Sequence, residues 1–185
     1  SKYYIISNMM ITIFSQTDRI MLKNMVDDAE TGYYSAAVTC ASLTNFVFAA
    51  VIDSMRPIIF EGKEENNEAF ELNLKRLYSI IIYMSLLQSV GIAILANIIV
   101  RIIYGEAYLP SVGILRVIVW YTTFSYIGAV RDIWIMAENK QKILWKINLF
   151  GALANVVLNL CFIPIWGGTG AALASLITQI FTNVI

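Results

Sequence analysis

Residues 77 to 104 read LYSIIIYMSLLQSVGIAILANIIVRIIY, and this stretch decides the class of fold. It contains a single charged side chain, that of Arg101. A helix needs about 20 predominantly apolar residues to cross the hydrocarbon core of a bilayer, so this run is long enough to span a membrane. In the whole chain of 185 residues, 58% are hydrophobic, 14% are charged and the mean hydropathy is +0.68. Soluble domains carry roughly 25% charged residues, so the sequence predicts an integral membrane protein.

Outward from this run, polar segments divide the chain into further apolar stretches. We predict an all-α, six-helix transmembrane bundle that forms a single lobe, with spans at 3–25, 31–57, 77–104, 112–137, 143–165 and 168–185. Pro164 ends the fifth span in this prediction, because proline lacks the backbone donor and its ring clashes with the preceding turn. The charged stretch 60–76 is predicted as a loop. It is either solvated or an amphipathic helix on the membrane surface, since Phe70 and Leu74 have helical spacing.

The distribution of lysine and arginine predicts which ends of the spans face the cytoplasm, because short cytoplasmic loops carry an excess of both. One side holds the start of the chain together with Lys2, Arg56, Lys63, Lys75, Arg76, Lys140, Lys142 and Lys146. The other side holds Lys23, Arg101 and Arg116. The start of the chain and the stretch 60–76 are therefore predicted to be cytoplasmic. Because Ser1 is not an initiator and the last span lacks a flanking charge, we expect a fragment of a longer polytopic protein.

The sequence also excludes several chemistries. It has no histidine, so a Ser-His-Asp or Cys-His device, or a histidine-ligated metal site, cannot be built from this chain alone. Cys40 and Cys161 lie in different spans without CxxC spacing, and we interpret each as a small buried hydrophobe. No glycine-rich phosphate loop of the Walker type occurs. We expect a protein that is not an enzyme, with no cofactor, no metal and no nucleic-acid partner.

Polar residues recur at helical spacing on several predicted spans. On the first span they are Asn8, Thr12, Ser15 and Arg19. Asp18 lies about 100 degrees away from Arg19 on the same helix. On the fourth span they are Tyr121, Ser125, Gly128 and Asp132, with Arg131 beside them, and on the fifth Asn148, Asn155 and Asn159. Asp53 and Arg56 lie near the inner end of the second span. The sequence therefore predicts polar faces inside the membrane.

These polar groups have structural as well as functional interpretations. Amide and hydroxyl side chains often only join membrane helices by hydrogen bonds, and small residues such as Gly167, Ala171 and Ser175 indicate close helix packing. Asp18 and Arg19 are harder to explain in this way. A charge near the centre of a membrane helix costs about 2.5 to 3.5 kcal/mol on insertion scales and usually marks a cavity or pathway. The structural alternative is an ion pair, to each other or across helices.

Several motifs resemble those of the bacterial polysaccharide flippases, which export O-antigen and capsule repeat units. These belong to the multidrug, oligosaccharidyl-lipid and polysaccharide exporter superfamily. The motifs are TDRIMLK (17–23), an acidic turn, GYYSAAV (32–38), YGEAY (104–108), ENKQK (138–142) and LNLCFIPIWGGTGAALAS (158–175). Departures from the family pattern are Ser175 where threonine is usual, Trp166 where tyrosine is commoner, and Lys23 where glycine is frequent.

The resemblance implies the C-terminal lobe of a two-lobe transporter in the bacterial cytoplasmic (inner) membrane. Such a transporter flips an undecaprenyl-pyrophosphate-linked oligosaccharide by alternating access. In this interpretation Arg19 and Arg131 contact the pyrophosphate, because a guanidinium fork suits phosphate oxygens. The sugar or helix-helix contacts are Asn8, Ser15, Ser125 and Asn155. The residues that hold the arginines or couple transport to a proton or sodium gradient are Asp18, Asp132 and Asp53.

The implied partners are the lipid-linked oligosaccharide, the missing N-terminal lobe, membrane lipids and other polysaccharide assembly proteins. Two other functions stay open. A cation-coupled multidrug exporter of the same superfamily favours acidic residues in an apolar cavity. A membrane-embedded glycan polymerase or ligase usually needs a large external loop, and the predicted external loops are short. A purely structural bundle does not need so many intramembrane charges.

Overall fold

The computed structural model describes residues 16–184, apart from the side chains of Glu65 and Val184, and over this range it consists of helices without a strand. The helices are α1 (described over 16–25), α2 (Asp28–Ala41), α3 (Asn45–Glu65), α4 (Asn67–Tyr104), α5 (Ser111–Ala137) and α6 (Gln141–Val184). A short 3-10 turn, Glu106–Tyr108, lies between α4 and α5. The predicted all-α fold is confirmed for the described residues. Asn8 and Ser15 lie outside them.

Three helices are long and apolar enough to cross a membrane: Asn67–Tyr104, Ser111–Ala137 and Gln141–Asn183. A fourth candidate is the pair formed by α2 and α3, which bend by 44° at the break between them. The prediction for α5, 112–137, differs from the observed helix by one residue. The count of six crossings stays a prediction, since most of the span 3–25 lies outside the described residues.

A sharp break divides α6 at Gly167, where φ is 54° and ψ is −132°. Glycine adopts positive φ without the steric cost that a Cβ atom imposes. The first arm (141–166) and the second arm (168–184) run back along each other, and the Asn155 amide lies 3.4 Å from the Ser175 hydroxyl. The predicted boundary between 165 and 168 coincides with this break, but the break lies at Gly167 and not at Pro164, which is inside the first arm. Pro164 lies in the last turn of the first arm, where it removes one backbone hydrogen bond without ending the helix. The chain turns three residues later, at Gly167.

The charged stretch 60–76 is helical except at Asn66, as in the amphipathic-helix alternative, and it is not a solvated loop. α3 ends at Glu65 and α4 begins at Asn67, with the Asn66 side chain accepting a hydrogen bond from the Ala69 N–H at 2.7 Å. The apolar face of this part of α4 is buried against α3 and α5, where Phe70 and Leu74 join a cluster that includes Ile133. The apolar face of this stretch therefore packs on protein.

The opposite end of the bundle is closed by contacts between three connections. The Glu30 carboxylate accepts a hydrogen bond from the Gly168 N–H at 2.8 Å, which ties α2 to the second arm of α6. The Tyr33 ring meets the Tyr108 ring edge-on, with centroids 5.7 Å apart. Beneath them lies a buried apolar cluster that includes Leu22. Cys40 belongs to this cluster, whereas Cys161 is exposed and its prediction as a buried thiol is wrong, because it lies on the outward side of the first arm.

A polar cavity as the candidate functional site

A cavity of about 490 Å³ lies between α1, α2, α5 and the two arms of α6. Pockets for small ligands typically measure about 300 to 1,000 Å³, so this volume suits a bound molecule. All four residues of the polar face predicted on α5 line it: Tyr121, Ser125, Gly128 and Asp132. The helical periodicity of polar residues in the sequence therefore locates a wall of the cavity.

Six of the predicted site residues line this cavity: Asp18, Arg19, Ser125, Arg131, Asp132 and Asn155. Asp53 does not. Among the described residues, α3 contributes Asn45, at its start, to the lining of the cavity. Asp53 lies two turns further along the same helix. The Asp53 carboxylate is largely exposed and lies 3.3 Å from the Arg56 guanidinium on the same helix. This is the geometry of a surface ion pair, which contributes little to stability.

Asp18 is 5% exposed, and its carboxylate accepts three hydrogen bonds from neutral groups. The hydroxyls of Tyr34 and Ser175 donate to Oδ2 at 2.7 and 2.6 Å. The Asn159 side-chain amide donates to Oδ1 of Asp18 at 2.6 Å and to the side-chain oxygen Oδ1 of Asn155 at 3.1 Å. These donors replace the water that a carboxylate loses on burial. We call these five residues the Asp18 network. It joins α1, α2 and both arms of α6.

Arg19 does not pair with Asp18, although the two residues are adjacent in sequence. Its guanidinium donates to the Gln16 side chain at 3.3 Å, and its buried Nε has no hydrogen-bond partner within residues 16–184. No carboxylate in the same range lies within ion-pair distance of Arg19. Neighbouring side chains on a helix project about 100° apart, which sends the two groups to different surroundings. Arg19 therefore reaches the cavity with donors that the described residues leave free.

Arg131 is more fully engaged. Its Nη2 and Nε donate to Asp132 Oδ1 at 2.8 and 3.2 Å, and its Nη1 donates to the Thr182 carbonyl on the second arm. The side chain of Arg131 is 17% exposed. The Asn183 amide donates to the Phe124 carbonyl at 3.0 Å close by, which fixes the second arm against α5. The charge of Arg131 is thus balanced within the protein.

The predicted site omits several residues that the structure brings to the cavity. Tyr34 belongs to the GYYSAAV motif, and the sequence offers no signal that its hydroxyl reaches Asp18, because that contact is tertiary. Ser175 belongs to the stripe that we interpreted as close packing. Asn159 belongs to an asparagine row that we interpreted as joining helices, and it binds the carboxylate directly. Thr178 and Gln179 also line the cavity, one helical turn beyond Ser175.

Comparison with known proteins gives one family. Residues 1–113 match a family described as "Polysaccharide biosynthesis protein". No significant match was found to a curated protein or to a solved structure. The matched residues make up more than half of the chain and include α1 and α2, which supply Asp18 and Tyr34. The chain therefore belongs to the polysaccharide biosynthesis protein family.

Proposed function

We propose that this chain is one lobe of a membrane transporter that moves an undecaprenyl-pyrophosphate-linked oligosaccharide across the bacterial cytoplasmic membrane by alternating access. The observation that carries the proposal is a cavity of about 490 Å³ inside an apolar helical bundle, lined by two arginines, two aspartates and several hydroxyl and amide side chains. Family membership supports a glycan as the cargo. Hydroxyl, amide and guanidinium groups along the cavity can replace the water that a sugar-pyrophosphate head group loses inside a bilayer.

The position of the cavity along the helices supports entry from the predicted cytoplasmic side. On α2 the lining residues run from Tyr34 to Ala41, and on the second arm of α6 they run from Ser175 to Thr182, so both sets lie towards the end away from the contact between Glu30 and Gly168. The contacts of Glu30 and Tyr33 close the opposite end. A head group in the cytoplasmic leaflet would therefore meet the cavity first, and its release requires the opposite end of the full transporter to open.

The two cavity arginines have different roles in this proposal. Arg19 is the principal contact for the pyrophosphate, since its charge is not paired with a carboxylate of the described residues and its Nε lacks a partner there. Arg131 already donates three of its five N–H groups to Asp132 and to the Thr182 carbonyl, so it has fewer free donors for an anion than Arg19. It therefore contributes less to substrate binding.

Asp18 is the group that we propose for coupling transport to a proton or sodium gradient. Its carboxylate is buried among neutral donors, with no lysine or arginine paired to it in the described part of the chain. The Asn159 carbonyl oxygen beside it is buried and has no partner in that part either. A cation that enters would find a carboxylate and at least one free acceptor. The same feature favours the second candidate function, a cation-coupled multidrug exporter.

The proposal is tested with the full-length parent protein in cells that depend on it for surface glycan. Arg19→Ala should reduce glycan display about tenfold or more at unchanged protein level, since a hydrogen bond to a charged group contributes about 1.5–3 kcal/mol, and Arg131→Ala should reduce it less. Arg101→Ala is the matched control, because Arg101 is exposed, pairs with Glu106 and lies outside the cavity.

Normal display by the double variant Arg19→Ala/Arg131→Ala would reject the anion-binding cavity. A change in drug accumulation without a change in glycan would favour the exporter.

A further inference from the structure

The first arm of α6 carries one exposed stripe along its length. Its members recur every three or four residues, which places them on one face of a helix: Lys142, Lys146, Phe150, Leu153, Val157 and Leu160. The four apolar side chains are 55% to 61% exposed. Apolar side chains so exposed on a candidate membrane helix are suited to contact lipid acyl chains, so we call this face the lipid stripe.

The length of the stripe places its lysines at the level of the lipid head groups. Lys146 and Trp166 are twenty residues apart, which corresponds to about 30 Å along a helix. This equals the thickness of the hydrocarbon core of a typical bilayer, about 30 Å. Trp166 is half exposed, and tryptophan concentrates at the membrane-water interface. With Trp166 at one interface, the ammonium groups of Lys146 and Lys142 reach the other.

A third lysine is fixed beside these two by the turn between α5 and α6. Asn139 has φ 55°, a left-handed conformation that asparagine tolerates, and the Lys140 N–H donates to the Ile135 carbonyl at 2.9 Å. The Lys140 ammonium lies 4.8 Å from the centre of the Trp134 ring, close enough for a cation-π contact. The three lysines therefore project from ordered backbone.

The charges of this cluster are only partly offset by nearby acids, since Glu138 attracts Lys140 from beyond ion-pair distance. All three lysines are exposed, and none forms an ion pair with a carboxylate of the described residues. Glu138, the acid nearest in sequence, binds Lys63 on α3 instead. The result is three positive charges within seven residues at the end of the lipid stripe.

We propose that Lys140, Lys142 and Lys146, with Trp134, form a binding surface for the phosphate head group of an anionic phospholipid whose acyl chains pack along the lipid stripe. Basic clusters at the end of membrane helices attract anionic head groups, and each charge adds to the attraction. The Trp134 ring, with its apolar body and polar N–H, suits the boundary between the head group and the acyl chains of the lipid. The surface lies outside the cavity, so the inference holds whichever cargo the transporter carries.

The experiment uses the full-length parent protein in nanodiscs with equal amounts of phosphatidylglycerol and phosphatidylcholine, and native mass spectrometry counts the lipids that remain bound. Neutralising each lysine should lower the ratio of retained phosphatidylglycerol to phosphatidylcholine about fivefold. The triple variant Lys140→Gln/Lys142→Gln/Lys146→Gln should lose most of the preference, and the corresponding arginine variant should keep it. Salt should weaken the preference of the wild type.

Two further variants make the result specific to this surface. The control Lys23→Gln/Lys75→Gln removes two lysines that already pair with Asp28 and Glu71, and it should leave the ratio unchanged. An unchanged ratio in the triple glutamine variant overturns the proposal. If that variant cannot be purified, Lys142→Gln alone must still lower the ratio about fivefold, and failure to do so overturns the proposal equally.

Discussion

Two carboxylates line the same cavity and are satisfied in opposite ways. Asp132 takes its partner from the next residue, the Arg131 guanidinium. Asp18 is held by a tyrosine and two amide or hydroxyl groups that lie 16, 141 and 157 residues further along the chain. The ion pair of Asp132 therefore lies within one turn of one helix, whereas the Asp18 network forms only when several helices are in place. Stability and transport should depend on them unequally.

The largest effect is expected when each carboxylate is removed. Asp18→Ala leaves three buried donors without their acceptor, and each orphaned group costs about 1–3 kcal/mol, so the loss should reach about 3 kcal/mol or more. Asp132→Ala should cost less, because its carboxylate is 31% exposed and Arg131 keeps the Thr182 carbonyl. Thermal unfolding of the full-length protein in detergent measures both. Equal losses of stability would contradict the expected difference between the Asp18 network and the Asp132 ion pair.

The next effect tests the close approach of the two arms on which the Asp18 network depends. A Cβ atom at Gly151 would lie 2.6 Å from the Thr182 methyl group, so Gly151→Val forces the arms apart and should cost about 1–3 kcal/mol. Gly32→Ala is the control, because no atom lies within 4 Å of its added Cβ and alanine favours a helix. It should be neutral or stabilising. A Gly151→Val protein as stable as the wild type would show that the arms can separate freely.

A smaller effect tests one hydrogen bond of the Asp18 network, the bond from the Ser175 hydroxyl to Asp18. Ser175→Ala removes a hydroxyl that donates to Asp18 at 2.6 Å and should cost about 1.5–3 kcal/mol in the same unfolding measurement. Thr178→Val lies one turn further on the same arm and removes a buried hydroxyl without a partner among the described residues. It should be neutral or stabilising, since no bond is lost. A larger loss from Thr178→Val than from Ser175→Ala would contradict the assignment of the network.

The smallest effect concerns a third carboxylate, outside the membrane-spanning segments, whose partner is also distant in sequence. The hydrogen bond from Lys63 lowers the pKa of Glu138 from its ordinary value. A depressed carboxyl pKa contributes stability above the unfolded-state pKa, about 4.3, and the contribution is lost as pH falls through the folded-state pKa. Glu138→Gln should therefore lower the melting temperature slightly at neutral pH and not in acid. Glu71→Gln, which breaks an exposed pair within one helix, should change it even less.

The sequence predicts those features that are local. The bounds of α5 follow from an unbroken apolar run, and the wall of Tyr121, Ser125, Gly128 and Asp132 follows from a 3.6-residue period. The partners of Asp18 could not be predicted, because no periodicity relates residues on different helices. The helical alternative for 60–76 follows from the spacing of Phe70 and Leu74, whereas the surface on which they pack could not be predicted, because it belongs to other helices.

The distribution of the Asp18 network along the chain has a consequence for biosynthesis. Ribosomes add about 5–20 residues per second, so Ser175 emerges roughly 8 to 30 seconds after Asp18, from which it is separated by 157 residues. During that interval Tyr34 is the member of the network that is already available, since it follows Asp18 by 16 residues. The Asp18 carboxylate therefore lacks the donors Asn159 and Ser175 until α6 has been synthesised.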